Sequence, residues 1–428
     1  MSFLKKLSSL VGDKKGGDYM LALDIGTESV RAAIFDIDDG EKDKPRAVVC
    51  GVGGMTMAAS EGKEGFIAEI VEVCRLVKKE AENMAGFEVN KAIIGMTGQS
   101  LKCSTALVSY DRKNASETID LSEIKNIVQK SQWRAFDDLR KREAEEYGLS
   151  ETEIKLVDGL ITDAKVDGYR VSDPIGFEGK EITLTIFNIY TSLFYLDLLR
   201  RLKKNLGLEI IASVPVSFAV ENALAESVFK TVNLSEVSGI FIDCGVGATD
   251  VVIAHQEIFE GPKTICFGGR TFTRRLASQL QLKDEDAERL KKKYSANQVS
   301  SLVKRKIAEI LASSLKMWLG GIKATLKSFS FLNSFPSLIL VAGGGGIPFL
   351  LKRALESQEW QDGLNFSQEI KVRVLRSSDI PDVEDKTGLL DDSSDISLSA
   401  LINFNLKLKR EKSTLNSILA RIIRLMQV

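Results

Sequence analysis

The chain has 428 residues, of which 44% are hydrophobic, and 58 lysines and arginines balance 59 aspartates and glutamates. This composition supports two or three domains with hydrophobic cores and excludes a mainly disordered chain. A formal net charge of −1 provides no field to hold a polyanion, so we expect no nucleic-acid partner. Five scattered cysteines and one histidine predict neither disulfides nor a structural zinc site, and no apolar run is long enough to span a membrane.

The first predicted elements are a hairpin, a helix and a further strand. An apolar run over 19–26 ends in a glycine turn and predicts a buried strand, and a second strand over 30–36 follows three residues later. Apolar residues at helical spacing predict a helix over 65–83. Another strand is predicted over 91–96.

A polar, charged stretch over 88–182 interrupts this order, and we interpret it as an inserted subdomain that contains a helix over 121–142. The predicted elements after it alternate as strand, helix, strand and helix, over 182–188, 191–205, 208–214 and 220–232. Strands that alternate with helices predict an α/β sheet.

The first strand and its glycine turn recur in the second half of the chain. Residues 239–254 again run from an apolar strand through aspartate and glycine into an apolar strand, which an internal duplication explains economically. Helices are predicted over 285–294 and 299–319. A strand that begins at 338 ends in four glycines, and a helix is predicted over 349–357. The chain is therefore predicted to form two similar halves that face each other.

The three glycine turns together suggest phosphate chemistry, although either hairpin alone is an ordinary turn. Glycines at 343–346 would let phosphate oxygens approach backbone N–H groups, and the helix that follows would add the positive end of its dipole. Asp24 and Asp243, if the two hairpins meet, would hold a hydrated Mg²⁺. This predicts a nucleotide cleft between the halves, without a P-loop motif.

Three motifs resemble those of the actin, heat-shock chaperone and sugar-kinase ATPases. Leu-Asp-Ile-Gly-Thr at 23–27 resembles the first phosphate motif and Ile-Asp-Cys-Gly-Val-Gly-Ala-Thr-Asp at 242–250 the second. Val-Ala-Gly-Gly-Gly-Gly at 341–346 resembles the adenosine motif. The resemblance implies an α/β, actin-like ATPase fold, with two duplicated α/β domains around a nucleotide cleft and with ATP and Mg²⁺ as cofactors.

Further stretches resemble the FtsA family of bacterial cell-division proteins, and the resemblance covers roughly 18–404. The run over 166–179 contains the family's Asp-Pro-Ile-Gly signature, which closes its inserted subdomain. Phe-Gly-Gly-Arg-Thr at 267–271, with Asp-Ala-Glu-Arg-Leu-Lys at 286–291, resembles the arrangement near the adenosine, and Ile-Ile-Gly-Met-Thr-Gly at 93–98 resembles the strand that opens the insertion. A similar first loop occurs in PilM, a related protein of type IV pilus systems, but the signature favours FtsA.

The family's organisation implies six segments in this chain. They are an amphipathic basic N-terminus, a first actin-like subdomain in two pieces, the inserted FtsA-type subdomain, a second core subdomain in two pieces, a smaller subdomain with adenosine contacts and an FtsZ-tail site, and a basic linker with a membrane-binding helix. Their expected bounds are 1–17; 18–87 and 183–237; 88–182; 238–265 and 336–404; 266–335; and 405–428.

By resemblance, Asp24 and Asp243 would bind Mg²⁺, and Asp243, supported by Asp250, would be the catalytic group that orients the attacking water. The connector over 213–218 otherwise offers only hydroxyls, so we expect slow hydrolysis at most and a nucleotide that acts as a conformational clamp. The residues expected to contact the nucleotide are Asp24, Gly26, Thr27, Gly245, Gly247, Gly268, Gly269, Glu288, Lys291, Gly343, Gly344, Gly345 and Gly346.

Several positions depart from this pattern or allow a simpler interpretation. Val246 and Ala248 replace small residues or glycine in the second phosphate loop, and Ser29 stands where many members carry lysine. Arg31 is a possible substitute for that lysine. The stretch 284–293 also fits a solvated helix, with acids first and bases last, as the helix dipole favours.

Both ends of the chain are basic and amphipathic. On a helical wheel the apolar side chains of 415–428 gather on one face, which predicts either an interfacial membrane anchor or a helix docked on its own core. FtsA-like proteins carry such a helix, which favours the anchor. The N-terminus repeats the design on a smaller scale. The expected lipid-binding residues are Leu415, Ile418, Leu419, Arg421, Ile422, Ile423, Arg424 and Met426.

The resemblance implies a filament-forming ATPase on the cytoplasmic face of the membrane, at the division site. It would bind the FtsZ C-terminal tail, other copies of itself, division-machinery membrane proteins and inner-leaflet anionic lipid. Lys304, Arg305 and Lys306 on the helix over 299–318 could meet acidic groups of that tail, or simply form a solvated basic face. A PilM-like pilus assembly adaptor and a small-molecule kinase of the same superfamily are the alternatives.

Overall fold

The computed structural model of the protein describes residues 19–38, 45–57, 62–97, 100–148, 150–225, 238–255, 258–329, 332–345, 347–410 and 414–426. The predicted amphipathic N-terminus at 1–17 and one expected nucleotide contact, Gly346, lie outside these residues. Within them, no helix is long and apolar enough to cross a membrane.

Strands and helices alternate along the chain much as the sequence predicts. The strands are β1 (Met20–Ile25), β2 (Ser29–Asp38), β3 (Arg46–Thr56), β4 (Lys91–Met96), β5 (Lys102–Asp111), β6 (Ile154–Val166), β7 (Tyr169–Arg170), β8 (Glu181–Ser192), β9 (Glu209–Pro215), β10 (Ser238–Cys244), β11 (Thr249–His255), β12 (Ile258–Ile265), β13 (Leu338–Ala342), β14 (Lys371–Val374) and β15 (Val383–Asp385). The helices are α1 (Gly62–Ala85), α2 (Leu121–Tyr147), α3 (Leu193–Asn205), α4 (Val216–Ala225), α5 (Gly269–Leu280), α6 (Asp284–Ser295), α7 (Ser301–Lys327), α8 (Pro348–Glu356), α9 (Ile396–Arg410) and α10 (Thr414–Met426).

The two halves of the chain build sheets with the same strand arrangement. In the first sheet the order is β15-β3-β2-β1-β4-β9, with β1, β2 and β3 antiparallel and β4 and β9 parallel to β1. In the second, β12-β11-β10-β13-β14 repeats this pattern strand for strand. The duplication predicted from the recurring strand and glycine turn is therefore present in the topology.

The inserted subdomain extends the second sheet instead of forming a sheet of its own. Strand β5 pairs with β12 through Ser104 and Cys103, and β8, β6 and β7 follow it in order. The expected domain boundary at 182 falls inside β8. Because β8 pairs with β5 and β6 along its whole length, the strand belongs to the insertion and the boundary at 182 was wrong. An apolar strand fits either sheet equally well, so its local pattern does not reveal its partners.

The C-terminal helix α10 packs against the insertion, on β6 and α2. Five of its apolar side chains are buried in one cluster with those of the insertion, whereas Leu425, Arg421 and Arg424 are exposed. In this conformation the insertion covers the apolar face, as the alternative of a docked helix expects, and lipid binding by these residues stays a prediction. The buried residues are Leu415, Ile418, Leu419, Ile422 and Ile423, with Met426 partly buried beside them.

Close packing of β3 on α1 generates a stability prediction. A Cβ at Gly53 would lie 2.3 Å from the Val77 carbonyl oxygen, whereas a Cβ at the neighbouring Gly54 would meet nothing nearer than Arg31 Cγ at 3.8 Å. We therefore expect Gly53→Ala to lower the free energy of unfolding by about 1–3 kcal/mol through overpacking. The matched Gly54→Ala control should change it by less than about 0.5 kcal/mol. Denaturant unfolding of both variants is the measurement, and equal effects would contradict the packing argument.

Candidate functional site

A cavity of about 400 Å³ lies where the glycine turns of the two halves face each other. The first half contributes the β1–β2 turn, and the second contributes the β10–β11 turn and the loop after β13. Of the sequence-predicted residues, those that line the cavity are Asp24, Gly26, Thr27, Asp243, Gly245, Asp250, Gly343 and Gly344. The structure thus brings together residues that are more than 300 positions apart in the chain.

Three carboxyl groups form the floor of this cavity. Asp24 near the end of β1 and Asp243 near the end of β10 are both buried, and Asp250 lies opposite Asp243 in the β10–β11 register. Burial, together with the charges of Asp250 and Asp24, raises the pKa of Asp243 to about 8. Burial also raises the pKa of Asp24 to about 6, although Arg31 and a hydrogen bond with Ser397 lower it. The raised pKa values show that burial disfavours the ionised form of both Asp24 and Asp243.

The carboxylate pair fits a hydrated divalent cation. Asp24 Oδ1 is buried without a hydrogen-bond partner among the described residues. A cation would supply the missing positive charge, and Mg²⁺ binds through one or two carboxylates, retained waters and phosphate oxygens. Within the part of the chain that the structure describes, no three His, Cys, Asp or Glu side chains are placed to share one metal ion, so the three carboxyl groups alone do not complete a site. Water or a phosphorylated ligand would therefore complete the coordination.

Most of the other predicted glycines serve the close approach of one loop to another. Gly343 has a φ of 112°, and a Cβ there would lie 2.3 Å from Asp243 Oδ1. A Cβ at Gly269 would lie 2.5 Å from the carbonyl oxygen of Gly345, and one at Gly268 would lie 2.6 Å from the backbone nitrogen of Ala248. These glycines leave no room for any side chain, because real Cβ contacts are wider.

Lys291 and Glu288 lie behind the cavity wall. The Lys291 amine is buried, donates to the Gly269 carbonyl oxygen at 3.0 Å and forms an ion pair with Glu288 at 2.8 Å. Burial lowers its pKa, although Glu288 opposes that shift. The alternative of a fully solvated helix is wrong for Lys291, because its amine supports the turn that begins α5. Lys292 lines the cavity in its place.

Two ion pairs at the cavity involve residues outside the predicted set. Arg31 pairs with Asp395 just before α9 and donates to the Ser394 carbonyl oxygen at 2.8 Å. Glu28 in the first turn pairs with Arg270 at the start of α5, 2.5 Å away, and so links the two halves. Arg270 directly follows Phe-Gly-Gly at 267–269, so its place near the loop could have been inferred from the motif. Its partner could not, since nothing local identifies a contact across the cleft.

The predicted connector over 213–218 corresponds to the end of β9 and the start of α4. Ser213 and Ser217 are buried, and the Ser217 hydroxyl has no hydrogen-bond partner among the described residues. One turn further on, burial holds the pKa of Glu221 well above its usual range. Neither serine is among the residues that line the cavity.

Comparison with known proteins shows which proteins have a similar sequence. No protein-family model matches the chain. It is 22% identical over 363 residues to the cell division protein FtsA of Bacillus subtilis, covering 79% of this chain and 76% of the relative. It is 23% identical over 370 residues to FtsA of Enterococcus faecalis, covering 80% and 77%.

A solved structure, the PilM-PilN type IV pilus biogenesis complex, matches with a TM-score of 0.58 at 14% identity, covering 90% of this chain and 98% of that one. The chain has the actin-like ATPase fold and is similar to FtsA. The predicted fold class and the predicted resemblance are thereby confirmed.

The raised pKa of Asp243 predicts how stability depends on pH without a divalent cation. An aspartate titrates near 3.8 when unfolded, so between about pH 4 and pH 8 the folded state retains a proton that the unfolded state has lost. The free energy of unfolding should therefore fall as the pH rises through this window. We expect Asp243→Asn to flatten that fall, with Asp24 sustaining the remainder below about pH 6.

Denaturant unfolding at about pH 5 and pH 8, with EDTA and then with MgCl₂, is the measurement. Mg²⁺ should stabilise the wild type more at the higher pH, because it binds ionised carboxylates. The exposed Asp284 provides the control variant Asp284→Asn. Identical pH slopes for the wild type and Asp243→Asn would contradict the assignment.

The Glu28–Arg270 pair predicts a measurable coupling between the halves. Because the pair is partly exposed, a double-mutant cycle of Glu28→Gln and Arg270→Gln should give a coupling energy of about 0.5–1 kcal/mol. Amide exchange in both turns should speed up in each single variant. Arg289→Gln removes an exposed pair within α6 and should leave those turns unchanged. Additive effects of the two cleft variants would show that the pair does not couple the halves.

Proposed function

We propose that the protein is a nucleotide-binding, filament-forming component of the bacterial division machinery that tethers FtsZ to the inner membrane. The observation that carries the proposal is the cavity where buried Asp24 and Asp243 meet glycine turns from both halves of an actin-like fold. Similarity to FtsA over about 80% of the chain supports the role in division. We place the protein at the cytoplasmic face of the membrane.

In this proposal the cavity binds ATP with Mg²⁺. Asp24 and Asp243 hold the cation through waters, and the turns at 26–27 and 245–247 donate backbone N–H groups to the β- and γ-phosphates. The glycines that follow β13 contact the α-phosphate and ribose. The adenosine side of the cavity is supported by residues that do not line it: Gly268, Gly269, Glu288 and Lys291. Bound Mg²⁺ would offset the negative charge of the phosphates and of the carboxylates.

Turnover should be slow in this site. Asp243 and Asp250 are the carboxyl groups available to orient a water, and the serines of the connector do not reach the cavity. The Glu28–Arg270 pair already links the halves, so a phosphate between the two turns would add further contacts across the same gap. Nucleotide thus acts mainly on how the halves are held together, which suits control of self-association into filaments.

A second cavity, of about 840 Å³, is the proposed site for the FtsZ tail. It lies between the end of α6, the start of α7 and α8, and its charged lining has five bases and one acid: Lys304, Arg305, Lys352, Arg353, Arg376 and Glu356. This charge suits an acidic peptide. Lys306, the third expected contact, does not line it and pairs weakly with Glu309.

Peptide binding tests the proposed partner. We expect an acidic FtsZ C-terminal tail peptide to bind the full-length protein, and Lys304→Glu with Arg305→Glu to weaken it at least tenfold, because two attractive charges become repulsive. Lys316→Glu, on an exposed part of the same helix, should have little effect. Fluorescence anisotropy is the measurement. Preference for a cytoplasmic peptide of a pilus membrane protein would instead support the PilM-like adaptor.

ATP turnover tests the role of the nucleotide. Steady-state turnover of many per second would contradict a nucleotide that acts mainly as a conformational clamp.

A further inference from the structure

Helix α10 occupies a site on the insertion that is shaped for it. Leu419 is fully buried and Ile423 is only 2% exposed, in one cluster with apolar side chains of β6 and α2. The covered face is the same face that the sequence assigns to lipid. It cannot contact the insertion and a bilayer at once.

Specific contacts, as well as apolar area, hold the helix in place. The Asn416 side-chain oxygen accepts a hydrogen bond of 2.7 Å from the backbone N–H of Ile161. That N–H lies where the β6–β8 pairing shifts register, between Ile161 and Asp163. At such a bulge the ladder of strand hydrogen bonds is locally disrupted, so a backbone N–H can donate to an acceptor from outside the sheet. Here the acceptor is the Asn416 side chain.

A glycine of β6 makes room for the other end of the helix. Gly159 is buried, and a Cβ there would lie 2.9 Å from Ile423 Cδ1. Nearby, burial raises the pKa of Asp158 to about 6, while a hydrogen bond from the Gly159 N–H and the positive charge of Arg424 on α10 lower it. A bulge donor and a glycine on the insertion thus match an amide and an isoleucine on the helix.

We propose that α10 is a releasable latch: docked on the insertion, it withholds its apolar face from anionic lipid, and membrane binding requires its release. This inference rests on the membrane tethering proposed above. Apparent lipid affinity then equals the affinity of the free helix multiplied by the undocked fraction. Release also uncovers the apolar surface of the insertion, so membrane attachment and exposure of that surface occur together.

The latch is tested with the full-length protein and vesicles of phosphatidylglycerol and phosphatidylethanolamine. Gly159→Leu inserts a side chain where Ile423 packs and leaves the helix sequence intact. We expect it to raise vesicle affinity at least tenfold, and to speed up amide exchange over 414–426, since it raises the undocked fraction. Leu107→Ala, at an exposed position of the same subdomain, is the matched control and should change neither.

A cross-link provides the opposite arm. With Gly159→Cys and Ile423→Cys in one chain, oxidation should hold α10 docked and reduce vesicle binding at least tenfold, and reduction should restore it. Oxidised wild type controls for the protein's own cysteines, of which Cys266 is exposed. Equal binding of the oxidised and reduced pair, with the cross-link confirmed by mass, would overturn the latch.

Two further outcomes separate the latch from the function on which it rests. Equal vesicle affinity for wild type and Gly159→Leu, lost in Leu419→Glu, would overturn the latch and leave the membrane role in place. No vesicle binding by Gly159→Leu, although exchange shows α10 released, would overturn the membrane role and the latch with it.

Discussion

Backbone meets backbone at the centre of this molecule, closer than any side chain would allow. The turn that begins α5 packs on the loop after β13, and that loop packs on the end of β10, at Gly269, Gly345 and Gly343. Because these contacts fix the turns of the second half against one another, Asp243 lies in the same cavity as Asp24 of the first half. The position of the carboxylates, and so any chemistry of the cleft, depends on this packing.

The same closeness creates the electrostatic problem of the site. Carboxyl groups that are buried beside one another resist ionisation, since each charge is poorly solvated and repelled by its neighbours. Arg31 is paired with Asp395, and Arg270 with Glu28, so the arginines at the cleft already have acidic partners. A cation that arrived with a phosphorylated ligand would relieve the repulsion, so the proposed ligand binding would be linked to protonation and to the contact between the halves.

The insertion connects the second half of the molecule to the C-terminal helix. Its strands continue the second sheet from β12 outward, and its outer surface receives α10. The helix follows α9 after a short link, and α9 packs against α4 and the first sheet. The helix for which we propose membrane binding therefore packs on the subdomain that distinguishes this chain's architecture from a simple pair of duplicated halves.

Local pattern was sufficient for much of the structure. The strands at 19–26 and 239–254, their aspartates and their glycine turns were predictable because apolar runs and turn residues act over a few positions. The resemblance in motif order was enough for the actin-like fold and for eight of the residues that line the cavity. Three features came only with the tertiary structure, since they depend on which distant surfaces meet: the sheet to which β8 belongs, the Glu28–Arg270 pair, and the burial of Lys291. The amphipathic pattern of α10 showed by itself that one face must be covered, whereas only the folded insertion, with its bulge at Ile161 and its glycine at Gly159, decided what covers it.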